Sequence, residues 1–149
     1  MATAQLPPDF KEFLRLLNAH RVDYLLIGGY AVGYHGYPRA TADMDVWIAI
    51  DAINADKMVE VLKEFGFDSP DLSGALFLAA EKVVRMGEPP LRIDVLTSIL
   101  GVEFRECYQA RVTDEIEGVK VNLIGLDHLK ASKRAAGRHQ DLSDLEHLP

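Results

Sequence analysis

The sequence is poor in cysteine. Among 149 residues it has one, Cys107, so no internal disulfide can form and no cysteine-based zinc site is available. A lone thiol of this kind reads as a small buried hydrophobe rather than a nucleophile. Positive charge is in deficit: 16 Lys and Arg face 23 Asp and Glu, a net charge of −7. That excludes a broad basic face of the sort that wraps nucleic acid, which rests on Lys and Arg neutralising phosphates, but it leaves room for a local basic cleft. No apolar run is long enough to span a bilayer, so no membrane partner is expected. The opening Met1-Ala2-Thr3-Ala4-Gln5 has neither the basic start nor the apolar stretch of a signal peptide, and a cytoplasmic location is expected. Internal repeats and low-complexity tracts are also missing.

What is present is an ordinary globular balance. Hydrophobic residues at 48% and charged residues at 26% argue for a packed core over disorder. The length suits one domain rather than two, so a single domain over 1–149 is expected, with C-terminal helices from about residue 126.

Along the chain, Pro7-Pro8-Asp9 reads as a helix entrance, followed by Phe10, Phe13, Leu14 and Leu17 at helical spacing. Val22 to Ile27 is a buried strand that stops at Gly28-Gly29, where a short helix through Tyr34 begins. Gly36-Tyr37-Pro38 breaks that helix. Met44 to Ile50 is a second strand. Asp51 or Asn54 caps a helix carrying Met58, Val59, Leu62 and Phe65, closed by Gly66. A short helix is expected around Leu72 to Leu78. Strands at Lys82–Met86 and Leu91–Leu96 flank a turn at Gly87-Glu88-Pro89-Pro90. A helical stretch near Val102–Tyr108 leads to a second hairpin, Val112–Ile116 and Val119–Ile124. Helices at Leu126–Ala136 and Asp141–Leu148 close the chain. The mixture without strict βαβ alternation predicts an α/β or α+β fold, with a mixed central sheet and helices packed mainly on one side.

The chemistry concentrates at Asp43-Met44-Asp45. Residues two apart on a strand share a face, so the two carboxylates project together while Met44 and Val46 turn into the core. Paired hard oxygen ligands suit Mg²⁺, although an Asp-x-Asp alone reads more simply as turn or cap acids. Gly28-Gly29, between a strand and a helix, permits close backbone approach to an anion such as phosphate; alone it is an ordinary tight turn. Asp94 shares the Arg92 face of an otherwise apolar strand. An acid there is exposed, paired or metal-bound. As a third carboxylate it would complete a two-metal site for in-line phosphoryl displacement.

Taken together, Ile27-Gly28-Gly29, the spacer ending in Arg39-Ala40-Thr41-Ala42, and Asp43-Met44-Asp45 resemble the signature of the polymerase-beta-like nucleotidyltransferase superfamily. The run Arg39-x-Thr41-x-Asp43-x-Asp45 and the terminal Leu126-Asp127-His128-Leu129-Lys130-Ala131-Ser132-Lys133, with Gly137-Arg138 and Asp141 beyond, most resemble short AbiE-type toxin nucleotidyltransferases and their uncharacterised relatives. The resemblance covers Tyr24 to Thr97 and the final helix. It implies the nucleotidyltransferase fold, an NTP substrate, and Mg²⁺ as cofactor with Mn²⁺ as the alternative. By that resemblance Gly28 and Gly29 hold the triphosphate, Asp43 and Asp45 bind metal, and Asp94 binds metal and helps deprotonate an acceptor hydroxyl. Lys133, then Lys130, are the expected phosphate contacts. The acceptor would be RNA such as a tRNA end, a protein side chain or a small molecule, and the biological partner an antitoxin or a second copy. Two departures stand out. Tyr30 replaces the Ser or Thr common after the glycines, and the large helical domain that holds the acceptor in longer relatives is missing. A catalytically silent nucleotide-binding module and, more weakly, a metal-dependent nuclease are the alternatives.

The remaining polar residues divide. Arg39 is expected at the cleft mouth, contacting a phosphate or pairing with Asp43. Thr41 reads as a turn hydroxyl and His35 as a solvated loop residue. Trp47, Tyr30, Tyr34 and Tyr37 read as packing residues. Arg134 and Arg138 join Lys130 and Lys133 in a basic helix face. It either pairs with Asp141 and Asp144 or walls an anion-binding cleft.

Overall fold

The computed structural model describes residues 6–88 and 91–149; the expectations for residues 1–5 and for Pro89-Pro90 lie outside them. Six strands, β1 (Tyr24–Ile27), β2 (Asp43–Ile48), β3 (Val83–Glu88), β4 (Leu91–Leu96), β5 (Val112–Ile116) and β6 (Val119–Leu123), form one sheet in the order β3-β4-β2-β1-β6-β5. The sheet is mixed: β2 runs parallel to β4 and β1 parallel to β6, while β1/β2, β3/β4 and β5/β6 are antiparallel. The helices are α1 (Pro8–Ala19), α2 (Gly28–Tyr34), α3 (Ala52–Phe65), α4 (Phe104–Gln109), α5 (Leu126–Ala136) and α6 (His139–His147).

Both faces of the central strands are buried. On one face Tyr24, Leu26, Met44, Val46 and Val95 pack against Phe10, Phe13, Leu14 and Leu17 of α1 and Met58, Val61 and Leu62 of α3. On the other, Leu25, Ile27 and Trp47 pack against Phe104 and Cys107 of α4, Leu129 of α5 and Leu148. The packing mainly on one side expected from the sequence thus holds only for the larger core under the two longest helices. Strand β1, Tyr-Leu-Leu-Ile, has no polar position to give to solvent, so its second face also takes a cover.

Local chemistry sets the boundaries. Asp51 is the cap of α3, accepting from the Asn54 N–H at 2.8 Å, and Gly66 ends that helix in the left-handed region at φ 100°. Asn54 instead ties the ends of β1 and β2 to α3, accepting from Asp23 N and donating to the Asp23 and Ala49 carbonyls. The expected helix at Leu72–Leu78 shrinks to one 3-10 turn, Gly74–Phe77, whose Phe77 is fully buried. Helix α6 starts at His139, ahead of Asp141, because the Asp141 carboxylate accepts from the Arg138 N–H and so lies inside the first turn.

Candidate active site

Parallel pairing of β2 with β4 sets Asp45 directly opposite Asp94, and Asp43 opposite Arg92. Antiparallel pairing brings Ile27 to the other side of Asp45 and Arg85 to the other side of Asp94. These side chains share a face with Leu25 and Trp47, so the polar row continues the smaller core towards the ends of the strands. Gly28 follows Ile27 at φ +69°, and a Cβ there would collide with Asp45 Oδ2. At Gly29 a Cβ would lie 2.7 Å from Thr41 Oγ1 and 3.4 Å from Arg39 Nη1. Close approach of the 39–45 segment is therefore what requires glycine at both positions.

The acids are unequally compensated. Asp94 is only 7% exposed. Arg92 donates from Nη2 to Asp43 Oδ2 at 2.8 Å, while its Nε stands 3.4 Å from Asp94 Oδ1. Both Arg92 Nε and Asp94 Oδ1 are buried without a hydrogen-bond partner. The Asp45 carboxylate makes no hydrogen bond or ion pair among the described residues. Burial first, then repulsion from Asp94 and Asp43, pushes its pKa up to about 6, against the pull of Lys133 and Arg92. Burial also raises the Asp94 pKa, with Arg92 and Arg85 opposing and Asp43 adding to it. Among the described residues no three acidic, His or Cys side chains close into a ready-made metal cage.

Helices α5 and α6 wall the other side. Lys133, 7% exposed, places Nζ 3.2 Å from Asp141 Oδ1 and 2.9 Å from Asp144 Oδ2. Arg138 Nε lies 2.7 Å from Asp141 Oδ2. Arg39 reaches Asp144 through Nε at 2.9 Å and Nη2 at 3.1 Å. Burial alone would raise both carboxyls, but hydrogen bonds from Arg138 and Lys133 hold Asp141 below its ordinary value, and those from Arg39, Lys133 and Gln140 do the same for Asp144. Between this wall and the sheet lies a cleft of about 460 Å³, whose lining includes Gly28, Asp45, Asp94, Ser132, Lys133 and Arg138.

Residues 8–149 match the model of a family described as nucleotidyl transferase of unknown function (DUF2204). The chain belongs to this family. A search among curated proteins finds no match. A solved structure of a Thermotoga maritima protein, provisionally assigned as a nucleotidyltransferase, is similar in fold: the TM-score is 0.62 at 15% identity, over 91% of this chain and 87% of that one. No helix among the described residues is long and apolar enough to cross a membrane.

In this nucleotidyl transferase family member, Gly28, Asp45, Asp94 and Lys133 meet at one cleft, while Gly29, Asp43, Arg39 and Lys130 are not part of its lining. Arg39 pairs with Asp144 rather than Asp43, although its guanidinium stays beside Gly29. Lys130 turns to the Pro149 carbonyl, 2.7 Å away. Of the basic helix face, Lys133 and Arg138 pair with Asp141 and Asp144 and also line the cleft. His35 is held by the Ile124 carbonyl at 2.7 Å rather than solvated. Tyr30 packs edge-on against Phe10, Tyr34 donates to Asp114, and Tyr37 stacks on His147, so all three are packing residues. Arg85 and Arg92 received no role from the sequence. The available signal was that Arg92 sits two residues before Asp94, on the same strand face.

Proposed function

We propose that this chain transfers a nucleoside monophosphate from an NTP to an acceptor hydroxyl and releases pyrophosphate. The observation that carries the reading is the cross-strand pair Asp45–Asp94, facing a cleft with Gly28 on one side and Lys133 on the other. The donor set fits a divalent cation: Asp94 Oδ1 is buried without a hydrogen bond, and the Asp45 carboxylate forms no ion pair among the described residues. Asp45 and Asp94, with Asp43 beside them, would hold Mg²⁺ or Mn²⁺. When bound, the ion supplies positive charge against the charge that develops on the transferring phosphoryl oxygens.

The protein's own residues do the rest. By the family resemblance the triphosphate lies against the Gly28-Gly29 backbone, where glycine also lets Asp45 and Thr41 pack close. Lys133 provides a cation held in place by Asp141 and Asp144, and Arg39 lies next to Gly29 for the same anion. Asp94 takes the proton of the acceptor hydroxyl, whose oxygen forms a bond to the α-phosphorus as the bond to pyrophosphate breaks. The acceptor is RNA, a protein side chain or a small molecule. The Arg39-x-Thr41-x-Asp43-x-Asp45 run supports a place beside the short AbiE-type toxins, with an antitoxin as partner. The whole of 1–149 acts as one cytoplasmic domain on this reading.

A silent nucleotide-binding module is the second reading. It is favoured by the prior engagement of Lys133, Arg39 and Arg138 with Asp141 and Asp144, and by Tyr30, which is buried where a phosphate-contacting hydroxyl would serve.

Calorimetric titration of Mg²⁺ with each NTP, into wild type and the Asp43→Ala/Asp45→Ala double variant, tests the site. Metal-dependent binding in wild type alone is expected, followed by label transfer to an acceptor. Binding without any product selects the module, shortened nucleic acid selects a nuclease, and no binding of any NTP overturns the transfer reading and leaves a degenerate module acting through a protein partner.

A further inference from the structure

Arg92 occupies the space between two of the three acids. It sits on β4 opposite Asp43, and its Nη2 engages Asp43 well at 2.8 Å. The same guanidinium reaches Asp94 badly: Nε and Oδ1 are 3.4 Å apart, buried, and each without a hydrogen bond. The more exposed Arg85 stands 3.6 Å from the same oxygen. The Asp45 carboxylate, beside them, forms no ion pair with either arginine, and Arg92 acts on it only through space. A guanidinium that served only as a structural counter-ion would gain by closing on Asp94, since two facing buried polar groups without a bond are costly to both. Arg92 thus makes a good hydrogen bond to Asp43 and, like Arg85, only a long ion-pair contact to Asp94.

Resting on the transferase reading above, we propose that Arg92 is a resident counter-ion. It competes with the divalent cation for Asp43 and Asp94, and passes to the polyphosphate of the nucleotide when the cation enters. A bare cation then meets acids already partly neutralised and binds weakly. A cation arriving with a nucleotide displaces the guanidinium onto an anionic partner, for which an arginine fork is well suited. Metal and nucleotide are thereby coupled through one side chain, which makes Arg92 a positioning residue with opposite effects on the two ligands.

The test compares wild type with Arg92→Met, which keeps the apolar stem and removes the charge, with Arg92→Lys, and with Arg15→Gln, at an exposed position of α1, as the control. Electron paramagnetic resonance counts Mn²⁺ bound in the absence of nucleotide; calorimetry reads the affinity of each Mn²⁺–NTP complex. Arg92→Met is expected to bind Mn²⁺ alone about tenfold tighter and the Mn²⁺–NTP complex about tenfold more weakly, a size typical of site-to-site coupling. Arg15→Gln is expected to change neither. Should Arg92→Met fail to fold, Arg92→Lys carries the test: a lysine cannot fork across two acids, so tighter Mn²⁺ binding is again expected. Mn²⁺ affinity that is unchanged or lower in the variant that folds, while wild type still binds Mn²⁺–NTP, overturns the role of Arg92 and leaves the transferase reading standing. Failure of wild type to bind Mn²⁺ with any NTP overturns the reading on which it rests.

Discussion

Arg39 and Asp144 meet through two parallel hydrogen bonds, Nε to Oδ1 at 2.9 Å and Nη2 to Oδ2 at 3.1 Å, at a carboxylate with no solvent exposure. This fork fastens α6 to the segment that leads into β2. Asp144 also takes Lys133 and Gln140, so α5, α6 and the entrance to the acidic strand share one buried anchor. Removing one partner of such a set leaves charge buried and unpaired. Asp144→Ala is expected to cost about 3–5 kcal/mol, read as a lower urea midpoint with an unchanged slope. A loss below about 1 kcal/mol would mean the fork is loosely held.

Gly28→Ala and Gly118→Ala separate two costs of a side chain at positive φ. Gly28 has φ +69° and Asp45 against it; Gly118 has φ +84° and nothing within 4 Å. Gly118→Ala should cost only the conformational term, roughly 1–2 kcal/mol. Gly28→Ala should cost more and abolish Mg²⁺–NTP binding, since Asp45 has to move. Equal denaturation midpoints for the two would contradict the close approach.

Lys133→Met and Lys130→Met distinguish the two helix lysines. Lys133 lines the cleft, and in its absence Asp141 keeps Arg138 and Asp144 keeps Arg39, so the variant should fold. Its NTP affinity should fall about 10–100-fold, the loss of one charge-assisted contact. Lys130, turned to Pro149, should matter by less than about threefold. The reverse order in calorimetry would relocate the phosphate site.

Asp45→Asn reads the strain of the acid row through pH. Burial and its acidic neighbours raise the Asp45 pKa from 3.8 to about 6, so the folded state holds a proton there that the unfolded chain has released. Ionised Asp45 therefore destabilises the metal-free protein. Its cost is absent below pH 4, grows between about pH 4 and 6, and is fully present above. The asparagine variant should be more stable than wild type at pH 7, by at most about 3 kcal/mol, and equal to it near pH 3.5. Asp141 and Asp144, held low, act in the opposite sense in both proteins and cancel in the difference. A wild type that is the more stable of the two at pH 7 would show that Asp45 has a partner in solution.

Much of the fold was legible because its signals are local. Alternation in Asp43-Met44-Asp45-Val46 and in Leu91–Leu96 fixes which residues share a face whatever the strands pair with. The cap at Asp51 and the stop at Gly66 lie within one turn of the helix they bound. The short strand β1, apolar throughout, could not announce that it needs cover on both sides, because an unbroken apolar run has no face to read. Helix α6 begins two residues ahead of Asp141 because its first turn is fixed by the Arg138–Asp141 pairing, a side-chain contact that composition does not display.

The sequence by itself determined the elements, the common face of Asp43 and Asp45, and the glycine pair after β1, since each depends on neighbours a few residues apart. Only the tertiary structure decided what these groups meet. Arg92 reaches Asp43 across 49 positions and Arg39 reaches Asp144 across 105. Strand order and helix docking choose such partners by packing the whole core, and charge pattern along the chain leaves that choice open. Lys133 and Arg39, expected to contact a phosphate, are paired in the folded chain with Asp141 and Asp144, because a cation shielded from water takes the nearest carboxylate the fold provides.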